Sequence, residues 1–150
     1  MKKLPLVTEF LIATLSFVIT SATAAACSCA GWSAPKDELE NSAAVFAGKV
    51  LEIQKDKGHS DNKFDQVVFT VTTSWKGVSP NATVVSLNLI NGPCDFWFKK
   101  DDEYLVYAYN PRGRMFLTTH RCRRTTHLQH AERDLAELGK GMSHKKVTSN

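Results

Sequence analysis

Residues 44–54 read Ala-Val-Phe-Ala-Gly-Lys-Val-Leu-Glu-Ile-Gln, and residues 66–75 read Gln-Val-Val-Phe-Thr-Val-Thr-Thr-Ser-Trp. In the first stretch Val45, Ala47 and Lys49 alternate against Phe46, Gly48, Val50 and Glu52. That is the period-two pattern of a strand. The second is β-branched and aromatic, a composition that fits a pleated, half-buried surface. Gly48 inside a strand marks a bulge or a tight bend. Lys55–Lys63, a charged loop containing Gly58, joins the two. The centre of the chain is therefore antiparallel β structure.

The pattern continues on both sides. Lys76-Gly77 and Ser79-Pro80-Asn81 turn the chain into a third strand over Ala82–Leu89, and Asn91-Gly92-Pro93 turn it again. Tyr104–Tyr109 reads as a fourth strand, closed by Asn110-Pro111-Arg112-Gly113, and Arg114–Thr119 as a fifth. Upstream, Pro35–Ser42 is a short polar helical turn with an acidic start, which suits a helix N-terminus. Downstream, Leu128, Ala131, Leu135 and Leu138 recur at helical spacing and form one apolar face. Thr125 or Thr126 could cap that helix and Gly139 or Gly141 could end it. Residues 142–150 are polar and read as a frayed tail. The expected fold class is mainly β: a five-stranded barrel of the oligonucleotide/oligosaccharide-binding type with a short helix at each end. Closure would remove exposed strand edges.

The whole chain has 150 residues, 43% hydrophobic and 23% charged, which suits one domain and excludes wholesale disorder. Its first residues have the layout of a secretory signal. Lys2 and Lys3 precede an apolar stretch over residues 10–20, and Ala24 and Ala26 form an A-x-A site. Ser16, Thr20, Ser21 and Thr23 dilute that stretch, which argues against a retained membrane anchor. The expected organisation is a signal peptide at 1–26, one domain at 27–141 and a tail at 142–150. Cleavage after Ala26 removes Lys2, Lys3 and Glu9 and takes the net charge from +4 to +3. So small a charge on an exported chain does not call for nucleic acid. Export places the protein in the periplasm or outside the cell. A lipoprotein lipidated at Cys27 is the rival reading. Ala24 stands where lipoprotein cleavage boxes usually carry an aliphatic residue such as Leu, and lipidation would leave three cysteines in an oxidising compartment.

The four cysteines are Cys27, Cys29, Cys94 and Cys122. Of the three possible connectivities, a Cys27–Cys29 bridge would close a small strained ring. Either remaining choice staples the N-terminal segment across the barrel at two points. Zinc binding by the thiols fits poorly, because the spacing lacks paired knuckles.

Several segments together resemble one known family. They are Cys27-Ser28-Cys29-Ala30, the 44–50 run Ala-Val-Phe-Ala-Gly-Lys-Val, Val-Phe-Thr-Val at 68–71, and Ser-Trp-Lys-Gly at 74–77. Gly92-Pro93-Cys94, Asp-Glu-Tyr-Leu-Val-Tyr at 102–107, and Leu117-Thr118-Thr119 followed by Cys122 complete the set. The chain from Cys27 to about Leu138 resembles the tissue inhibitors of metalloproteinases and the wider netrin-like module, as a single-domain, bacterial-type member. The resemblance implies an oligonucleotide-binding-type barrel, bridges Cys27–Cys94 and Cys29–Cys122, and a wedge that enters a metalloprotease active site. The chain departs from the animal inhibitors in lacking the cysteines of their third bridge and their whole second, cysteine-rich domain.

The chemistry of such a wedge is simple. A catalytic zinc with three protein ligands keeps one position for water. The α-amine and carbonyl oxygen of Cys27 could close a five-membered chelate ring on that zinc, in trans, and displace the water. The amine must be unblocked and unprotonated, and its reference pKa of about 7.7–8.0 makes this easy near neutral pH. A disulfide at Cys27 would hold it rigid, leaving little ordering entropy to oppose binding. Ser28 would point into the first primed pocket of the protease, with shallow and broad filling. Cys29 and Ala30 would lie along the cleft, and Asn91, Gly92 and Pro93, tethered through Cys94, would pack beside them. The expected function is exported metalloendopeptidase inhibition, with a zinc metalloprotease as partner and no cofactor. The alternative is a netrin-like envelope or extracellular interaction module that inhibits nothing.

Other candidates weigh less. His127 and His130 share helical spacing but have no third ligand at a helpful distance in sequence. His120-Arg121-Cys122-Arg123-Arg124 reads as a solvated basic rim around a disulfide. Asp101-Asp102-Glu103 reads as a charged turn. Trp75 belongs to the core, and the run Phe96-Trp97-Phe98 must turn at least one ring outward beside Cys94, where it could join a binding rim. No motif assembles a nucleophile, base and acid, so an enzyme is not expected.

Overall fold

In the computed structural model, residues 27–58 and 63–144 are described. The expected signal peptide, the middle of the 55–63 loop and the last six residues of the tail lie outside them. Helix α1 (Pro35–Asn41) is followed by strands β1 (Ala44–Lys57), β2 (Phe64–Lys76), β3 (Val84–Leu89), β4 (Glu103–Ala108) and β5 (Thr126–His127). A 3₁₀ turn (Leu128–His130), helix α2 (Glu132–Leu138) and strand β6 (Met142–Ser143) complete the chain. All strands join one antiparallel six-stranded sheet in the order β3-β2-β1-β4-β5, with β6 on β2.

β1 organises the molecule. Its residues 44–48 and Val50 are buried, although they alternate between two faces. Phe46 and Val50 enter a core with Phe69, Leu87, Tyr104 and Val106, which Phe96, Phe98 and Leu117 cover. Val45 enters a second core with Leu105, Tyr107 and Ala131. Leu128, Leu135 and Leu138 cover this face, so the helical stripe read in the sequence is what buries the back of β1 and β4. Gly48 sits where the β1–β2 register shifts, and a Cβ there would lie 2.8 Å from the Thr70 carbonyl oxygen. The bulge thus depends on a missing side chain.

Three expectations are corrected. The sheet does not close into a barrel. Arg114–Thr119 forms no ladder; Leu117 bridges Leu87 in parallel and Thr118 bridges Tyr109 antiparallel, each as an isolated pair. Met115 is fully exposed, and Arg114 and Phe116 bond only locally, the Arg114 N–H to the Pro111 carbonyl and the Phe116 carbonyl to the Asn110 side-chain amide. Thr118 and Thr119 turn inward, and the Thr119 hydroxyl donates to the Tyr107 carbonyl at 2.9 Å. Secondly, the last helix is split, and its α-helical part starts after Ala131 with no side-chain cap. Thr125 is used elsewhere: its buried hydroxyl accepts the Tyr107 N–H at 2.9 Å. Thirdly, Met142–His144 are not frayed. Met142 and Ser143 pair with Ser74 and Thr73, and the His144 N–H donates to the Thr72 carbonyl at 2.9 Å.

Both bridges form, Cys27–Cys94 with Cα atoms 5.6 Å apart and Cys29–Cys122 at 5.3 Å. They span 67 and 93 residues of sequence. In the chain-entropy model each such loop, taken alone, is worth about 4 kcal/mol. Two disulfides fit an oxidising compartment, periplasmic or extracellular. Among the described residues no helix is long and apolar enough to cross a membrane. Substitution Gly48→Ala should push the new methyl group into the Thr70 backbone and cost about 2 kcal/mol, read as a lowered denaturation midpoint in urea.

Candidate functional site

The segment from Cys27 to Ala30 runs without regular structure, and its exposure alternates. Cys27 and Cys29 are half-buried, and Ser28 and Ala30 are exposed. The two sulfurs are bonded to Cys94 and Cys122 in the body of the protein, and Ser28 between them and Ala30 after them face solvent. Cys94 brings the Asn91–Cys94 turn alongside. In that turn Asn91 and Pro93 are exposed, and Gly92 and Cys94 are half-buried. Cys27 Sγ lies 3.2 Å from the Pro93 carbonyl oxygen. Bonded to another sulfur, it has no proton to give, so this is a packing contact. The Cys27–Cys94 bridge thus brings the two segments together as a ridge without regular structure, with Ser28, Ala30, Asn91 and Pro93 exposed along its crest.

Backbone and side-chain bonds stiffen the turn. Asn91 adopts φ 58°, a conformation that Asn tolerates better than most residues. The Gly92 N–H donates to Asp95 Oδ2 at 3.0 Å, and the Asp95 N–H donates back to the Gly92 carbonyl at 3.1 Å. Asp95 also bridges His120, and the Arg121 N–H donates to the Cys94 carbonyl at 2.8 Å. The two half-cystines of the turn and of the 120–124 loop are therefore coupled directly.

The basic loop departs from the sequence reading: two of its arginines are structural. Arg123 pairs with the buried Glu38 of α1, which also accepts the Ser33 hydroxyl. Arg124 grips the buried Asp134 of α2 with both ends of its guanidinium, its Nε at 2.7 Å from Oδ2, and donates through Nη1 to the Ser33 carbonyl at 2.9 Å. The Tyr107 hydroxyl completes the site with a 3.0 Å bond to Asp134. Burial, and then the Asp134 carboxylate, push the Tyr107 phenol far above its ordinary range, so it remains a donor. Residues just beyond the ridge are thereby tied to both helices. The Arg–Cys–Arg–Arg run was visible in the sequence, but Glu38 and Asp134 lie 85 and 10 residues from their arginines and carry no local signal.

Aromatic placement follows the sequence reading in part. Phe96 and Phe98 pack on the main core, and Trp97 between them is 78% exposed. Trp75 packs against the second core and donates through Nε1 to the Gly139 carbonyl at 2.9 Å. Asp101 sits in a turn with φ 70° and pairs with Lys49 at 3.2 Å. His127 stacks on Tyr104 with ring centroids 4.4 Å apart, and among the described residues no three metal-ligating side chains cluster. Sequence reasoning did not single out Ser74 and His144, whose Oγ and Nε2 lie 2.8 Å apart. Both are buried, and His144 Nδ1 has no hydrogen-bond partner among the described residues.

His120 Nδ1 accepts the Cys122 N–H at 3.1 Å, which needs a neutral ring. Burial, then the nearby Arg123 charge, lower its pKa from the ordinary 6.5. The unfolded chain therefore binds the proton first, and the stabilisation, fully present above pH 6.5, is lost as pH falls toward the lowered folded value. Compared by sequence with models of known families and with curated proteins, the chain matches none.

Two outcomes follow from this geometry. Arg124→Ala leaves Asp134 buried without its countercharge and should cost about 3–5 kcal/mol in chemical denaturation. Between pH 7.5 and pH 5, wild type should lose more stability than His120→Gln, measured by thermal melts of both proteins.

Proposed function

We propose that this chain is an exported inhibitor of zinc metalloendopeptidases. In this reading cleavage after Ala26 leaves Cys27 as a free terminus, whose α-amine and carbonyl oxygen coordinate the catalytic zinc of the protease. Ser28 then faces the first primed pocket, Ala30 follows along the cleft, and Asn91 and Pro93 pack beside them. The observation that carries the reading is the ridge itself. Two disulfides fix a Cys-x-Cys segment against a reverse turn and leave its alternate residues facing outward. A partner that accepts this shape has little chain entropy to remove.

The resemblance of the Cys27–Leu138 segments to the metalloproteinase inhibitors and the netrin-like module supports the same reading. So does the finer assignment of the fold to the oligonucleotide-binding type, which is part of this proposal. The β1–β2–β3 meander, the β1–β4 pairing, and the bridges of Leu117 to β3 and Thr118 to Tyr109 support that topology. The protein acts by occupying a site, with no chemistry of its own.

Purified protein with its terminus defined by mass spectrometry, titrated against a panel of zinc metalloendopeptidases, tests the proposal. Inhibition is expected from a chain starting at Cys27, and acetylation of its amine should abolish it. Affinity should rise with pH up to about pH 8 and then level, because only the unprotonated amine binds metal. A mature chain that starts at Cys27 with both bridges intact and inhibits no protease, acetylated or not, assigns it instead to the non-inhibitory interaction modules.

A further inference from the structure

Trp97 and Arg121 stand beside the ridge and are unexplained by the fold. Trp97 is held outward from two sides, because Phe96 and Phe98, its neighbours in sequence, are both packed on the main core. The ring is therefore presented at a fixed position. Arg121 lies across it, with the guanidinium carbon 4.0 Å from the ring centroid.

Arg121 is fixed as well. Its backbone N–H donates to the Cys94 carbonyl at 2.8 Å, and its Nε donates to the Asp95 carbonyl at 3.1 Å. Both anchors belong to the turn that carries the Cys27 disulfide. Unlike Arg123 and Arg124, Arg121 pairs with no carboxylate among the described residues. A large apolar ring in water and an uncompensated, immobilised positive charge thus form one shelf, rigidly continuous with the ridge. Tryptophan and arginine dominate the energetically important residues of protein interfaces. Folding alone would be served by a polar residue at position 97.

We infer that Trp97 and Arg121 form a second contact for the partner that the ridge engages, accepting a rim that presents a carboxylate against an apolar surface. This inference rests on the inhibitor reading above. Trp97 supplies the desolvated contact, and Arg121 supplies the charge that steers the approach and then pairs.

Binding kinetics against a zinc metalloendopeptidase that the wild-type protein inhibits separate the two roles. Trp97→Ala should accelerate dissociation at least about tenfold. Arg121→Gln should slow association about threefold or more at low salt and flatten its salt dependence, whereas Arg121→Lys, which keeps the charge, should retain that dependence. Met115→Ala, a fully exposed residue off the ridge, should change neither rate. Because Trp97 and Arg121 are exposed, unchanged melting temperatures should accompany these effects. Inhibition by wild type with kinetics unaltered in Trp97→Ala and Arg121→Gln overturns the shelf and leaves the ridge reading standing. Failure of wild type to inhibit any protease overturns both. Sedimentation showing a wild-type dimer that Trp97→Ala dissolves assigns the shelf to self-association and also overturns the inference.

Discussion

A strand buried on both faces needs two covers, and the architecture follows from that requirement at β1. Residues 44–50 lie in the middle of the sheet, hydrogen-bonded to β2 on one side and β4 on the other. Phe46 and Val50 need an apolar lid on one face, which the Phe96-to-Phe98 segment and Leu117 provide. Val45, with Leu105 and Tyr107, needs another on the opposite face, which the C-terminal helix provides. The chain after β4 must therefore visit both faces of the sheet. It crosses from Leu117 on one to Leu128 on the other within about a dozen residues, and the arginine-rich loop that carries Cys122 lies on that crossing.

The position of that loop explains why the ridge is rigid. Cys122 sits in it and holds Cys29, while Arg123 and Arg124 reach Glu38 and Asp134 on the two helices. The buried ion pairs and the cross-links act on the same short stretch of chain. A buried pair contributes little net stability over an apolar replacement, but breaking one half of it is costly, so such pairs favour a single arrangement. The crest residues Ser28 and Ala30 owe their presentation to covalent and ionic contacts below them and to no regular structure of their own.

Much of this was legible in the chain itself. Alternation in 44–54 and 66–75, a glycine at the bulge, and the Leu128-Ala131-Leu135-Leu138 stripe are local patterns. Local patterns survive into the structure when burial demands them. Arg114–Thr119 shows the opposite case. Its residues have strand character, yet Met115 faces solvent and Thr118 and Thr119 serve the β4 backbone, so the segment contributes single bridges where a ladder was expected. Thr125 failed as a helix cap for a similar reason, since the Tyr107 N–H claims its hydroxyl. The short pairing of Met142–Ser143 with β2 also had no local signal, because two residues are too few to show a period.

Sequence alone determined the β character, the strand positions near β1 and β2 and the apolar helix face, because each depends on neighbours a few positions away. Tertiary structure alone decided that the sheet stays open, which acids answer Arg123 and Arg124, and that Arg121, with no carboxylate partner among the described residues, lies over the Trp97 ring. These are matters of which distant groups meet after the two faces of β1 are covered. Such meetings depend on the packing of both cores, and that is a property of the whole folded chain.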